Sequence, residues 1–441
     1  MTDNKGDQMG IWMTSSIVVG TIIGAAIFMM PVALAPLGRN ALIGWVVSGI
    51  GVLCIVFALA QLSRLGGEGI QANIEKVFGP TIAFLVAWGF WISNWVANAS
   101  IAIAAGSTLT FVGRGFGGPG MVVSVAIGCV VVLTAINALG VRAAGGLSVA
   151  TVAIKVLPLL AVIWLLLQTG ARGAAYEQLP PTPVSFANIA TATALTFFAL
   201  TGFENATAPV GKVRDPSRTI PRALLGGTVF VVLLYLAAGT SIQLLLPANQ
   251  IVASSAPFAD AIASQWGRGA ASLVAIAIVI SALGCLNCLI LGTGELGYSM
   301  ALRGDLPSIM ARTRGANTPI VSQLVAAGLT IMLLLANSSR TTANLYTFIV
   351  LLSTAALIPV YFFGALAAWK LNTSLRTRSV VLVALLFVTF ATYGIGLEAD
   401  LWGLVLLAAG LAIRAVVRHF SSRAPSLVPA AAPAAPPESS S

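Results

Sequence analysis

Histidine is nearly absent from this 441-residue chain, which has only His419. That excludes a histidine metal site and removes imidazole as an intramembrane proton carrier. Charge is scarce too: Asp, Glu, Lys and Arg together make 8% of the residues, against roughly 25% in a soluble domain. Four cysteines, Cys54, Cys129, Cys285 and Cys288, all fall in apolar stretches. Cys285 and Cys288 have the spacing of a redox or zinc pair, but a second pair is missing and His419 is distant in the chain. They read as small residues on one face of a buried helix. No Ser/His/Asp set, metal cluster or nucleotide-binding loop occurs, so neither an enzyme nor an ATP-driven machine is expected, and no cofactor.

What fills the chain instead is apolar sequence, 58% of all residues. Twelve apolar segments stand out, approximately at 11–36, 40–63, 79–112, 120–139, 146–168, 186–210, 223–246, 269–302, 319–336, 343–369, 379–396 and 401–417. Each is near or above the ~20 residues that cross a bilayer as a helix. The expectation is an all-α membrane protein with twelve transmembrane helices. Residues 1–10 read as a polar tail, with no cleavable signal peptide because the first apolar run is too long. Residues 421–441, mostly Ala, Pro and Ser, read as a disordered tail.

The formal net charge of +10 could suggest nucleic acid, but its distribution points elsewhere. With a cytoplasmic N-terminus and twelve spans, only Arg39, Arg114, Arg172, Arg268 and Arg340 fall outside and Lys155 lies within a span. The other basic residues gather on the cytoplasmic side, as the positive-inside rule requires. Both termini are then cytoplasmic, and the basic balance reports topology, with membrane lipid as the partner and no nucleic acid.

Two segments carry interruptions. In the sixth, Glu204 is the only charge between Ser185 and Gly211, in Leu200-Thr201-Gly202-Phe203-Glu204-Asn205-Ala206. A lone carboxylate at membrane depth is costly, and glycine there releases backbone groups that are tolerated only beside a cavity. The first segment is uncharged from Gln8 to Gly38 and reads Gly20-Thr21-Ile22-Ile23-Gly24-Ala25-Ala26-Ile27-Phe28, then Pro31. By itself this favours close helix packing. Paired with the interruption in segment six, it points to an inverted-repeat transporter, whose half-helix amino ends hold an anionic group while freed carbonyls hold an amine or cation. Lys155 is the third element, the only charge between Ala143 and Ala171. With Pro158 just after it, it lies too deep to snorkel easily, and its ammonium suits the freed carbonyls of the first segment.

These breaks occur with Gly66-Gly67-Glu68-Gly69, the Lys212–Arg222 loop and Arg303-Gly304-Asp305-Leu306-Pro307. Over about residues 10 to 420, in order, the set resembles the amino acid–polyamine–organocation superfamily, nearest its basic amino acid/polyamine antiporters such as the arginine/agmatine exchanger. The resemblance implies a LeuT-type fold with broken helices 1 and 6. Residues 11–170 would hold helices 1–5 and residues 185–372 helices 6–10, as 5+5 inverted repeats. Residues 378–418 would hold helices 11 and 12, a candidate homodimer contact.

Residue by residue, the resemblance assigns the substrate carboxylate to amides around Gly24, Ala25 and Ala26. It assigns the amine to carbonyls near Ile22, Ile23, Phe198 and Leu200, with Thr201 beside them. Phe198 falls at an aromatic gate, Asn98 faces the substrate side chain, and Glu204 resembles a proton-linked gate. Lys155 is shared with proton-dependent permeases. Two departures weaken a guanidinium-specific reading: Gly24-Ala25-Ala26 lacks the expected serine, and Leu289 stands about where a tryptophan is expected, which removes a cation–π face. The implied activity is secondary active transport of amino acids, or their decarboxylated amines, as an antiporter in the inner membrane. The alternatives are a proton-coupled amino acid symporter and, more distantly, a channel or scaffold.

Overall fold

The computed structural model describes residues 10–65, 69–113, 120–138, 148–173, 176–204, 215–314 and 318–421. The expected tail 1–10 (all but Gly10), most of the tail 421–441, Gly66–Glu68 and Lys212–Arg214 of the Lys212–Arg222 loop lie outside these residues. Described residues form helices in the order α1 (Ile11–Ile22), α2 (Ala26–Leu34), α3 (Arg39–Leu65), α4 (Gly69–Phe78), α5 (Pro80–Val112), α6 (Met121–Ala138) and α7 (Ser148–Ala171). Then follow α8 (Phe186–Ala199), α9 (Pro216–Leu245), α10 (Ala248–Ala253), α11 (Pro257–Leu302), α12 (Ile320–Ala336), α13 (Thr342–Leu371), α14 (Leu375–Ile395) and α15 (Leu397–Ser421). Each apolar segment overlaps one of these helices, the first overlapping α1 and α2, and several helices begin or end outside the segment, α11 by twelve residues.

Among the described residues, nine helices are long and apolar enough to cross a membrane, or ten with the bent pair α1–α2 counted as one span. α8, with 14 residues, and α12, with 17, are apolar but short, so this measure does not reach twelve. α8 is short because it stops at its own break, which the continuous apolar run in the sequence conceals.

The packing partners obey a shift of five spans. α1 packs on α9 and α7, and α8 packs correspondingly on α3 and α13. α5 packs on α13 and α6, and α11 packs on α7 and α12. α3–α9 and α5–α11 map onto themselves. Such a pattern arises when two five-span halves share one fold and interlock. α14 and α15 have no counterparts and lie against α3, α5, α8 and α13. α8 is seated by backbone contact: a Cβ at Gly44 of α3 would lie 2.8 Å from the Ala192 carbonyl carbon, and one at Gly394 of α14 would collide with the Ala190 carbonyl.

One end of the bundle is clamped by a buried ion pair. Arg414 of α15 donates to Asp305, just beyond α11, at 2.7 Å and to the Pro80 carbonyl at 3.0 Å. Its guanidinium also lies 4.8 Å from the Phe84 ring centre. Arg418 reaches the same Asp305 oxygen at 3.0 Å but is half exposed.

Candidate functional site

The first break opens where α1 ends. Ile23 leaves the helix (φ −72°, ψ 82°), and the axes of α1 and the segment Ala26–Leu37 meet at 45°. Gly24 N–H turns back to the Ile22 carbonyl at 2.7 Å. No side chain caps the start of α2, so its first amides carry the unsatisfied donors and positive dipole end of any helix start. Gly24 is half-buried while Ile22, Ile23, Ala25 and Ala26 are buried.

Three side chains from three other helices hold carbonyls around the break, those of Gly20 and Ile22 freed by it and that of Ala26 in the first turn of α2. Lys155 Nζ of α7 donates to the Gly20 carbonyl at 3.0 Å. Tyr235 of α9 donates its hydroxyl to the Ile22 carbonyl at 3.2 Å, and Tyr346 of α13 donates to the Ala26 carbonyl at 2.6 Å. Lys155 is 7% exposed, so its ammonium is spent inside the protein and not at a lipid headgroup.

The second break follows α8. Leu200 (φ −92°, ψ 1°) ends the helix, and Gly202 takes φ +108°. Thr201 gives both its N–H, at 3.1 Å, and its hydroxyl, at 2.7 Å, to the Phe198 carbonyl. Glu204 then folds back: both its oxygens accept the Gly202 N–H, at 3.2 and 3.1 Å, and Oε2 accepts the Tyr361 hydroxyl at 3.1 Å. The Tyr361 ring lies 5.2 Å from Phe197 and 5.6 Å from Phe203, so one α13 side chain grips both sides of the break.

The two breaks touch. A Cβ on Gly202 would sit 2.6 Å from the Thr21 carbonyl oxygen and 3.5 Å from Ile22 Cα. Gly24 faces α11, where a Cβ would meet Cys285 Sγ at 3.4 Å. The cysteines share one face of α11 as free thiols, but that face is not fully buried: Cys285 is half-buried against the break and Cys288 is exposed.

Three expected side chains remain, those of Phe198, Asn98 and Leu289. Phe198 is 7% exposed, at the end of α8. Asn98 of α5 is 1% exposed, and its buried Oδ1 has no hydrogen-bond partner. A buried amide oxygen without a donor calls for water or a ligand. Leu289 of α11 is half-buried, and no hydrogen bond joins Asn98 or Leu289 to either break among the described residues. Sequence reasoning missed Tyr235, Tyr346 and Tyr361. The signal was available, since the chain has only six tyrosines and a tyrosine inside an apolar span must find an acceptor.

The amino acid permease family matches residues 9–422. The chain belongs to that family. It is a multi-pass membrane transport protein and not an enzyme. It is 26% identical over 438 residues to the putrescine transporter PotE of Escherichia coli (strain K12), covering 95% of this chain and 98% of that one. It is 25% identical to a putative arginine/ornithine antiporter of Bacillus subtilis (strain 168), covering 82% of this chain and 84% of the relative. A crystal structure of MhsT in complex with L-phenylalanine superposes with a TM-score of 0.60 over 90% of this chain and 98% of that chain, at 15% identity. The fold is LeuT-type, as the paired breaks and the five-span shift require.

Proposed function

We propose that this permease is a secondary active antiporter that exchanges amino acids, basic ones above all, or their decarboxylated amines, by alternating access. The observation that carries the reading is the contact of two broken helices at Gly202 and Thr21, flanked by an uncapped helix start. Such a junction offers amides to a carboxylate and carbonyls to an amine at the same depth. The names of the relatives support the substrate class.

In this reading, amides around Gly24, Ala25 and Ala26 hold the carboxylate when one is present. Ile22 and Phe198 already have donors on their carbonyls, so the amine falls mainly to the carbonyls of Ile23 and Leu200. Thr201 steadies the second break, Phe198 covers the substrate, and Asn98 and Leu289 face its side chain. Glu204 gates and Lys155 fixes the first break. Residues 11–170 and 185–372 are the two repeats, and 378–418 lies outside them. The positive-inside bias supports an inner-membrane protein with both termini in the cytoplasm. Exposed apolar residues such as Leu386, Tyr393, Trp402 and Leu404 on α14 and α15 suit lipid or a second copy in a homodimer.

Counterflow in proteoliposomes tests the function. Unlabelled internal putrescine, ornithine, lysine or arginine should accelerate uptake of a labelled member of the same set. Uptake driven by a proton gradient with no trans-acceleration would favour the symporter instead. Uptake without saturation would favour a channel.

A further inference from the structure

A second intramembrane carboxylate, Glu295 on α11, has no part in the exchange cycle described above. It is exposed and makes no hydrogen bond or ion pair with the described residues. The exposed face of α11 changes character along its length. Up to Gly284 its large exposed apolar side chains are Trp266, Leu273, Ile276 and Ile280. Beyond Gly284 the exposed positions are Cys288, Gly292 and Glu295, until Leu302 at the helix end. With 3.6 residues per turn, Gly292 and Glu295 lie only about 40° and 20° around the helix from Cys288. Large apolar side chains suit acyl chains, whereas a carboxylate without a partner suits water.

This polar face leads to the breaks. Cys288 lies within electrostatic reach of Cys285 and Lys155. Cys285 Sγ abuts Gly24, and Lys155 holds the Gly20 carbonyl.

We propose that the Cys288–Gly292–Glu295 face is a wall of a water-filled path from the end of α11 to the helix breaks, and that Glu295 gives this path its preference for cations. The proposal rests on the reading of the protein as a carrier of basic amino acids and amines, and it names the residue that enriches such substrates at the cytoplasmic mouth. Glu295 stands about 10 Å along the helix axis from Cys288. A unit negative charge at that distance raises the local concentration of a monovalent cation roughly 2-fold at the dielectric constant of water. At the effective dielectric constant of a protein surface the factor is about 15.

Cys288 itself is the reporter. In a Cys54→Ala, Cys129→Ala, Cys285→Ala background, inside-out vesicles are treated with trimethylammonioethyl or sulfonatoethyl methanethiosulfonate. The Cys288 thiolate attacks the sulfenyl sulfur, forms a mixed disulfide and releases methanesulfinate. Changes in thiol reactivity affect both reagents equally, so the ratio of the two rates isolates the local potential, and Lys155 contributes the same to every variant. The cationic reagent should be favoured, Glu295→Gln should lower the ratio at least 4-fold, and Glu295→Asp should retain it. If neither impermeant reagent reacts while N-ethylmaleimide does, Cys288 does not line a water path and the proposal fails. A ratio unchanged in Glu295→Gln overturns the role of Glu295. No substrate is used, so the outcome is separable from failure of the antiporter reading, which counterflow decides.

Discussion

Replacing Gly202 by alanine tests whether the two helix breaks must touch. Gly202 sits at φ +108°, where L side chains are strained by on the order of 1–3 kcal/mol. Its new Cβ would lie 2.6 Å from the Thr21 carbonyl oxygen and 3.2 Å from the Thr21 carbonyl carbon. Both obstacles are backbone, so no rotamer change relieves them, and overpacking of this kind costs about another 1–3 kcal/mol. The sum, about 2–6 kcal/mol, can be relieved only by drawing α8 away from α1. At 1.4 kcal/mol per decade, even the low end weakens substrate binding roughly 30-fold if the bound state needs the contact. The assay is substrate affinity and melting temperature, both measured in nanodiscs. Gly226→Ala on α9 is the control, since no atom lies within 4 Å of its added Cβ and alanine in a helix is neutral or stabilising by up to about 1 kcal/mol. A Gly202→Ala protein that melts and binds like the control would refute the junction as the site.

Four further outcomes are expected. Tyr346→Phe removes the hydroxyl that the Ala26 carbonyl accepts in addition to its helix bond and should cost about 0.5–1.5 kcal/mol; a thermal melt reads the loss. Phe198→Ala should raise the apparent dissociation constant at least several-fold, beyond any fall in stability, in an equilibrium binding titration. Glu204→Gln keeps one acceptor for Gly202 or Tyr361 and should bind substrate while flattening the pH dependence of transport, whereas Lys155→Ala should lose transport at every pH; a wild-type pH profile in Glu204→Gln would make the carboxylate structural. Arg414→Met should destabilise by about 3–5 kcal/mol by stranding part of the charge of Asp305, and the half-exposed Arg418→Met by no more than about 1 kcal/mol, as chemical unfolding should show.

The sequence carried the large features because a membrane makes them costly to hide. Apolar runs mark the helices, and the breaks show because glycines and a carboxylate in such runs have few explanations. Lys155 could be placed opposite the first break for the same reason. What escaped was whatever depends on facing. Tyr235, Tyr346 and Tyr361 are ordinary members of apolar runs until the fold aims their hydroxyls at freed backbone or at Glu204. The cysteines lie on one helix face as expected, but spacing could not tell that this face is partly open and meets the first break. Glu295 was passed over within a long apolar segment that continues through Leu302, where a single charge does not lower the mean hydropathy enough to show. The number of crossings was hard for a related reason, since a break cuts α8 short without interrupting the apolar run.

The way the breaks are held fits a part that moves. The carbonyls of Gly20, Ile22 and Ala26 each take one hydrogen bond from a different helix, α7, α9 and α13. Each such bond is worth only about 0.5–1.5 kcal/mol net, somewhat more for the charged lysine. A shift of α1 against its neighbours can therefore exchange one bond at a time, with water replacing each donor. The end of α11 is built in the opposite way. Asp305 and Arg414 are buried and mutually neutralising, and Arg414 also ties α15 to the start of α5 through Pro80. Breaking that contact exposes a low-dielectric region to an uncompensated charge, a loss no substrate contact at the breaks repays. The clamp therefore ties α5, α11 and α15 together more firmly than single hydrogen bonds tie α1 to its neighbours.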